Sequence, residues 1–137
     1  GDAVWRWARE ELLRWGIKTR SGFAVEPAEA VRRGDRPVIH AHAFGLAIRE
    51  PVEVIEVVDE PERAAFAYRT LPGHPIDGEE AFLLSRGDDD TVTLGIRSLT
   101  RPVAEAHWRL AYPGLLVAQS VARRRYLRAL SRVRASG

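Results

Sequence analysis

The side chains of this chain that are equipped for chemistry gather around one stretch, Phe66 to Phe82, FAYRTLPGHPIDGEEAF. His74 stands between Gly73 and Pro75, and a loop imidazole beside Glu79 or Glu80 has the parts of a general acid–base pair. The plainer role for the same ring is hydrogen bonding to the backbone, which holds the loop in shape. Glu79 and Glu80 alternate across an extended segment, so only one of them faces inward. Phe82 and Leu84 share the parity of Glu80, which makes Glu80 the inward carboxylate. A buried carboxylate needs a partner or it neutralises. Tyr68, Arg69, Arg97 and Arg101 are the partners within the neighbouring segments. Further along, Gln119 and Tyr126 interrupt an apolar helical face two turns apart, and both require hydrogen-bond partners when buried. They either orient a ligand in an apolar pocket or satisfy Glu80 and the turn. Tyr68, His74, Glu80, Arg97, Gln119 and Tyr126 are therefore the candidate ligand-binding residues, and no residue is assigned a catalytic step.

Other chemistries find less support. His40 and His42 form an H-x-H that projects two imidazoles from one strand face, and zinc would need a third ligand from His74 or Glu80. That motif sets no spacing to a third ligand, so no metal and no cofactor is expected. Ser21, Ser85 and Ser98 lack the G-x-S-x-G setting of a nucleophile elbow. The chain has no cysteine, which excludes thiol catalysis, disulfides and thiolate metal sites. Glycine patterns for phosphate or dinucleotide binding are missing. Six arginines lie between Arg123 and Gly137, among them Arg132, where they favour the negative end of a helix dipole. Without aromatic platforms or a docking motif they do not make a nucleic-acid site.

Composition sets the frame for these residues. A chain of 137 residues fits one domain with room for a core, and 1–137 is read as a single unit. Twenty of its twenty-one basic residues are arginine, a bias of genome composition more than of nucleic-acid binding. No apolar run approaches the roughly 20 residues that cross a bilayer, and no secretory pattern opens the chain. A cytoplasmic location is the expectation. The absence of methionine implies that the chain starts inside its gene product and that a short N-terminal piece precedes it.

The elements that position the candidates follow from periodicity. Asp2 to Trp15 has apolar residues three and four apart and reads as a helix, with Gly16 as its C-terminal stop. A short strand falls around Gly22 to Val25. Val38 to Phe44 alternates, with Val38, His40, His42 and Phe44 on one face. Gly45 and Pro51 bound an apolar Leu46-Ala47-Ile48, and Val52 to Val58 is a β-branched run. Ala64 to Leu71 and Glu79 to Arg86 form a hairpin closed by Pro72-Gly73-His74-Pro75 and Asp77-Gly78. Thr91 to Leu99 alternates again, and Arg101-Pro102 ends the sheet. From Val103 to about Val133 the pattern is helical, with Pro113 either opening the second part or kinking it. The fold class predicted is α+β: an N-terminal helix, a curved antiparallel meander of about five or six strands, and a long C-terminal helix packed on the sheet.

These residues also resemble a known family. Phe66-Ala67-Tyr68, Thr70 to Pro75, Gly78 to Phe82, Arg101-Pro102, Gln119 and Arg125-Tyr126-Leu127 are similar to the DUF1990 family, uncharacterised proteins of the UPF0548 type from bacteria and plants. Ala3-Val4-Trp5 and Ala8 through Trp15 fit its opening helix, so the resemblance covers nearly the whole chain. It implies kinship with the birch-pollen-allergen and START-like helix-grip proteins, which bind hydrophobic small molecules or lipids between sheet and C-terminal helix. It brings no established catalytic residues.

The function expected is the binding of a hydrophobic or amphipathic small molecule in a cavity between sheet and helix. One alternative is a cofactor-independent enzyme in the same pocket, with His74 or Glu80 as acid or base. Another is an interaction module, possible as a homodimer, that uses Trp5, Trp7, Trp15 or Trp108 for self-association.

Overall fold

In the computed structural model the described residues are 2–27, 29–43, 45–104, 106–130 and 133–136, without the side chains of 43, 106 and 134–136. Phe44 and Arg132, named above on a strand and on the last helix, lie outside them. The chain runs through helix α1 (Asp2–Leu12), a single turn α2 (Gly16–Thr19), and strands β1 (Ala24–Glu26), β2 (Val38–Ala43) and β3 (Leu46–Asp59). It continues through β4 (Arg63–Thr70), β5 (Ile76–Arg86), β6 (Val92–Pro102), helix α3 (Ala106–Ala129) and a short β7 (Arg134–Ser136). The sheet is ordered β1 to β7 in sequence, with β1 to β6 antiparallel and β7 parallel to β6. This is the α+β arrangement expected, with six meandering strands.

Alternation along the central strands builds the core. Phe66, Tyr68, Phe82, Leu84, Leu94 and Ile96 all point to one face, where Trp5, Ala8 and Leu12 of α1 and Tyr126 and Leu130 at the far end of α3 meet them. The spacing of Trp5, Ala8 and Leu12 is the stripe that an amphipathic helix must bury. Val54 pairs with Tyr68 and Glu56 with Ala67, so Ile55 is the extra residue of a bulge that bends β3.

Four local readings change. The first helix ends at Leu12, and Trp15 rather than Gly16 takes the left-handed conformation, with φ of 65°. A bulky residue there is strained, and burial compensates: the indole meets Phe66 edge-on at 4.8 Å. The bend restarts the chain as α2 and turns Ile17, Lys18 and Ser21 inward. Gly16 has another task, because a Cβ there would stand 2.5 Å from the Glu11 carbonyl oxygen.

Leu46 to Val58 is one strand, not two, although Pro51 lies inside it. Pairing with β4 begins only at Val52, so the missing N–H of Pro51 falls at an edge. The Pro51 carbonyl accepts from the Leu71 amide at 3.0 Å, and the Leu71 carbonyl accepts from the His74 amide at 3.1 Å, closing the Pro72-Gly73 turn. Asp77-Gly78, read as a turn, belongs to β5. Finally, α3 spans Ala106–Ala129 with Pro113 inside it, and Val133 lies beyond its end, before β7. Residues 134 to 136, past the end periodicity implied for the helix, pair with β6.

Candidate functional site

Between the open end of the sheet and α3 lies a cavity of about 310 Å³. Its apolar wall includes Ala41, Ile48, Ile76 and Leu115, a small cluster on which Trp108 also packs. Its other wall is polar. Tyr68, His74, Glu80, Gln119 and Tyr126, five of the six candidates, line it. Arg97 does not. It pairs in register with Ala81, one residue out of phase with Glu80, and is exposed beside a separate depression that Arg123 also lines. None of the three arginines considered as partners for Glu80 reaches it as an ion pair: Arg69 binds Glu53 at 2.5 Å and Arg101 binds Asp77 at 2.7 Å.

The cation at Glu80 is Lys18, only 3% exposed, which the sequence reading missed. Its Nζ lies 3.2 Å from Glu80 Oε1 and donates to the Tyr126 hydroxyl at 2.6 Å. Four rings surround the ammonium, with centroids at 4.6 Å (Tyr126), 4.8 Å (Phe23), 5.4 Å (Tyr68) and 5.9 Å (Phe82). The Tyr68 hydroxyl donates to Glu80 Oε1, and Ser98 Oγ donates to Oε2 at 3.0 Å. Glu80 is thus inward, as parity required, and each of its oxygens holds at least one donor. One signal for Lys18 was present in the sequence: it is the single lysine beside twenty arginines. An ammonium is a compact point charge that fits inside an aromatic cage, where a planar guanidinium fork does not.

Burial alone disfavours a charged Lys18, but Glu80, with support from Tyr68, Tyr126 and Glu50, outweighs it and holds the ammonium well above the ordinary lysine range. Burial, then the Glu80 charge, pushes the Tyr68 phenol far up. Burial likewise raises Tyr126. The cluster therefore consists of a charged ammonium, a carboxylate and two neutral phenols.

His74 is buried, and its Nδ1 accepts from the Ile76 amide at 3.0 Å. That bond leaves the ring proton on Nε2, which faces Glu50 Oε2 at 3.6 Å. The ring thus performs the loop-shaping role while also turning a proton toward a carboxylate. Glu50 is the second residue the sequence reading missed, because it precedes a proline taken as a strand boundary. Burial works to raise its carboxyl, and the His74 contact and the Lys18 charge prevail, holding it below the ordinary range. Gln119 lines the cavity, and among the described residues its side chain makes no hydrogen bond. His42 lines the same space, while His40 Nε2 lies 3.4 Å from Glu26. Among the described residues no three His, Asp or Glu side chains are grouped to hold a metal.

Of the four tryptophans, Trp5 and Trp15 are core residues. Trp7 is half-buried under the Arg20 guanidinium at 5.2 Å, and Trp108 is half-buried at the apolar wall. Among the described residues no helix is long and apolar enough to cross a membrane.

Comparison with known proteins gives the site its relatives. Residues 1–129 match the family described as a domain of unknown function, DUF1990. A UPF0548 protein of Deinococcus radiodurans is 43% identical over an alignment that takes in all of this chain and 73% of the relative. Among solved structures, the hypothetical protein jhp0584 from Helicobacter pylori is similar in fold, with a TM-score of 0.56 at 15% identity, covering 88% of this chain and 74% of that one.

Proposed function

We propose, from the premise that this chain belongs to the DUF1990 family of domains of unknown function, that it binds a small amphipathic molecule between its sheet and α3. The observation that carries the proposal is the cavity of about 310 Å³, apolar on one side and edged by a buried polar cluster on the other. The reading draws on the resemblance to START-like helix-grip proteins, whose ligands lie between sheet and C-terminal helix. Its place of work is the cytoplasm, with which a cysteine-free chain is compatible.

Binding accounts for the cluster better than acid–base catalysis does. His74 Nδ1 is taken up by the Ile76 amide, its Nε2 faces Glu50 at 3.6 Å, and three donors surround Glu80. A charged Lys18 is the reverse of what Schiff-base chemistry requires.

The test is retention and displacement. Native mass spectrometry of the protein purified from its own host should reveal a bound small molecule, and a polarity-sensitive dye should bind the emptied protein. Ala118→Trp, which fills the cavity from α3, should abolish dye binding without unfolding the chain. A wild-type protein that neither retains a molecule nor binds the dye, or a variant that binds it unchanged, would overturn the proposal.

A further inference from the structure

We infer that the molecule taken into this cavity carries an amine, with Glu50 as the group that receives its ammonium. This rests on the cavity being a binding site, and it follows from how the charges in the walls are already spent. Lys18 is committed to Glu80 and Tyr126, at 3.2 and 2.6 Å. Each oxygen of Glu80 in turn already holds a donor, Oε1 from Lys18 and Tyr68 and Oε2 from Ser98. That pair is closed and neutral, and it offers an incoming group neither an unmatched cation nor a vacant oxygen.

Glu50 is different. Its side chain is 16% exposed and lines the cavity, and its only close donor among the described residues is His74 Nε2 at 3.6 Å, beyond a direct hydrogen bond. The Ile76 amide donates to Nδ1 of that ring, so only Nε2 is turned toward the carboxylate. Arg125 and Glu79, both exposed, also line the cavity and carry opposite charges. The remaining titratable groups on the walls are His42, exposed on β2, and the phenols of Tyr68 and Tyr126. The interior sets two carboxylates, Glu50 and Glu80, against the single Lys18 ammonium, and among the described residues Glu50 keeps lone pairs without a donor. A carboxylate or phosphate ligand would be placed against like charge, whereas an ammonium completes the site with charge-assisted hydrogen bonds. Gln119, unpartnered among the described side chains, stands across the cavity on α3 as a second polar contact.

Size narrows the class. A volume of about 310 Å³ lies at the lower end of small-molecule pockets. That suits a short alkylamine or a single-ring arylalkylamine, and it is too small for a two-chain lipid.

The experiment uses hexylamine, hexanol and hexanoate, three probes with one apolar tail, titrated into the protein by calorimetry at neutral pH. The amine should bind at least about tenfold tighter than the alcohol, and the acid should bind most weakly. Glu50→Gln should reduce the amine to the level of the alcohol. If that variant does not fold, the NMR shift of the wild-type Glu50 carboxyl carbon should move with hexylamine and not with hexanol. Equal binding of all three, tighter binding of the acid, or an amine preference that survives Glu50→Gln overturns the amine assignment. So does failure of all three probes. Dye binding blocked by Ala118→Trp then decides whether the cavity reading survives.

Discussion

Replacing Lys18 by methionine keeps most of the side-chain volume and deletes the ammonium. It removes an ion pair at 3.2 Å, a hydrogen bond at 2.6 Å and contacts with four rings, and it leaves Glu80 buried with only Tyr68 and Ser98 as donors. Stranding one member of a buried pair costs about 3–5 kcal/mol, far more than the pair contributes relative to apolar replacements. For a chain of 137 residues that is a fall in Tm of about 10–20 °C. The double variant Lys18→Met/Glu80→Gln removes both charges and preserves acceptors for Tyr68 and Ser98, so it should recover all but about 1 kcal/mol. Equilibrium urea unfolding of wild type, both single variants and the double variant, followed by tryptophan fluorescence at neutral pH, gives the coupling directly. A single variant that folds poorly beside a double variant that folds well is the same result in stronger form. If Lys18→Met costs less than about 1 kcal/mol, or the double variant is as unstable as the sum of the singles, the argument for a charged, coupled pair is wrong.

Alkaline titration tests the same cluster from the other side. Lys18, Tyr68 and Tyr126 are all raised in the folded state, so their contribution is complete below the ordinary values of 10.5 and 10.0 and is lost as pH climbs past them. Stability should decline from about pH 10 upward, and two of the three tyrosines should ionise only as circular dichroism reports unfolding. Early, reversible ionisation of all three with the fold intact would contradict this. At the acid end Glu50 is lowered, so its contribution is present above about 4.5 and disappears as pH falls through its folded value. Glu50→Gln should therefore give a shallower loss of stability below that pH, and an unchanged acid limb would count against the His74 and Lys18 contacts. Gly78→Ala should destabilise by about 3 kcal/mol or more, because its Cβ would lie 2.0 Å from the Leu99 carbonyl oxygen across β5 and β6. A Tm within a degree or two of wild type would show that the strands separate there more easily than the structure allows.

Much of the architecture was legible because it is written in local periods. Alternation located the strands of the hairpin and placed Glu80 inward with Phe82 and Leu84, where it is found. Spacing of three and four located both long helices and the inward direction of Tyr126. Errors came where a local stop signal met a tertiary exception. Pro51 looked like a boundary, yet β3 tolerates it where the strand pairs with β2 alone, before its pairing with β4 begins, and the same stretch carries Glu50 into the cavity wall. Gly16 looked like a helix stop, yet the preceding tryptophan makes the bend because the core receives its indole. Arg97 lost its place to a phase difference of one residue along β6.

By itself, then, the sequence determined the layers, their order, and which face of each strand turns inward, since these depend on neighbours two to four positions away. Only the tertiary structure decided that the one lysine of the chain answers Glu80 and Tyr126, the latter 108 positions distant. The same holds for the pairing of a loop imidazole with Glu50 and for the space left between sheet and helix. Ion pairing and empty volume depend on which surfaces meet after the chain has closed, and no period in the sequence records that meeting.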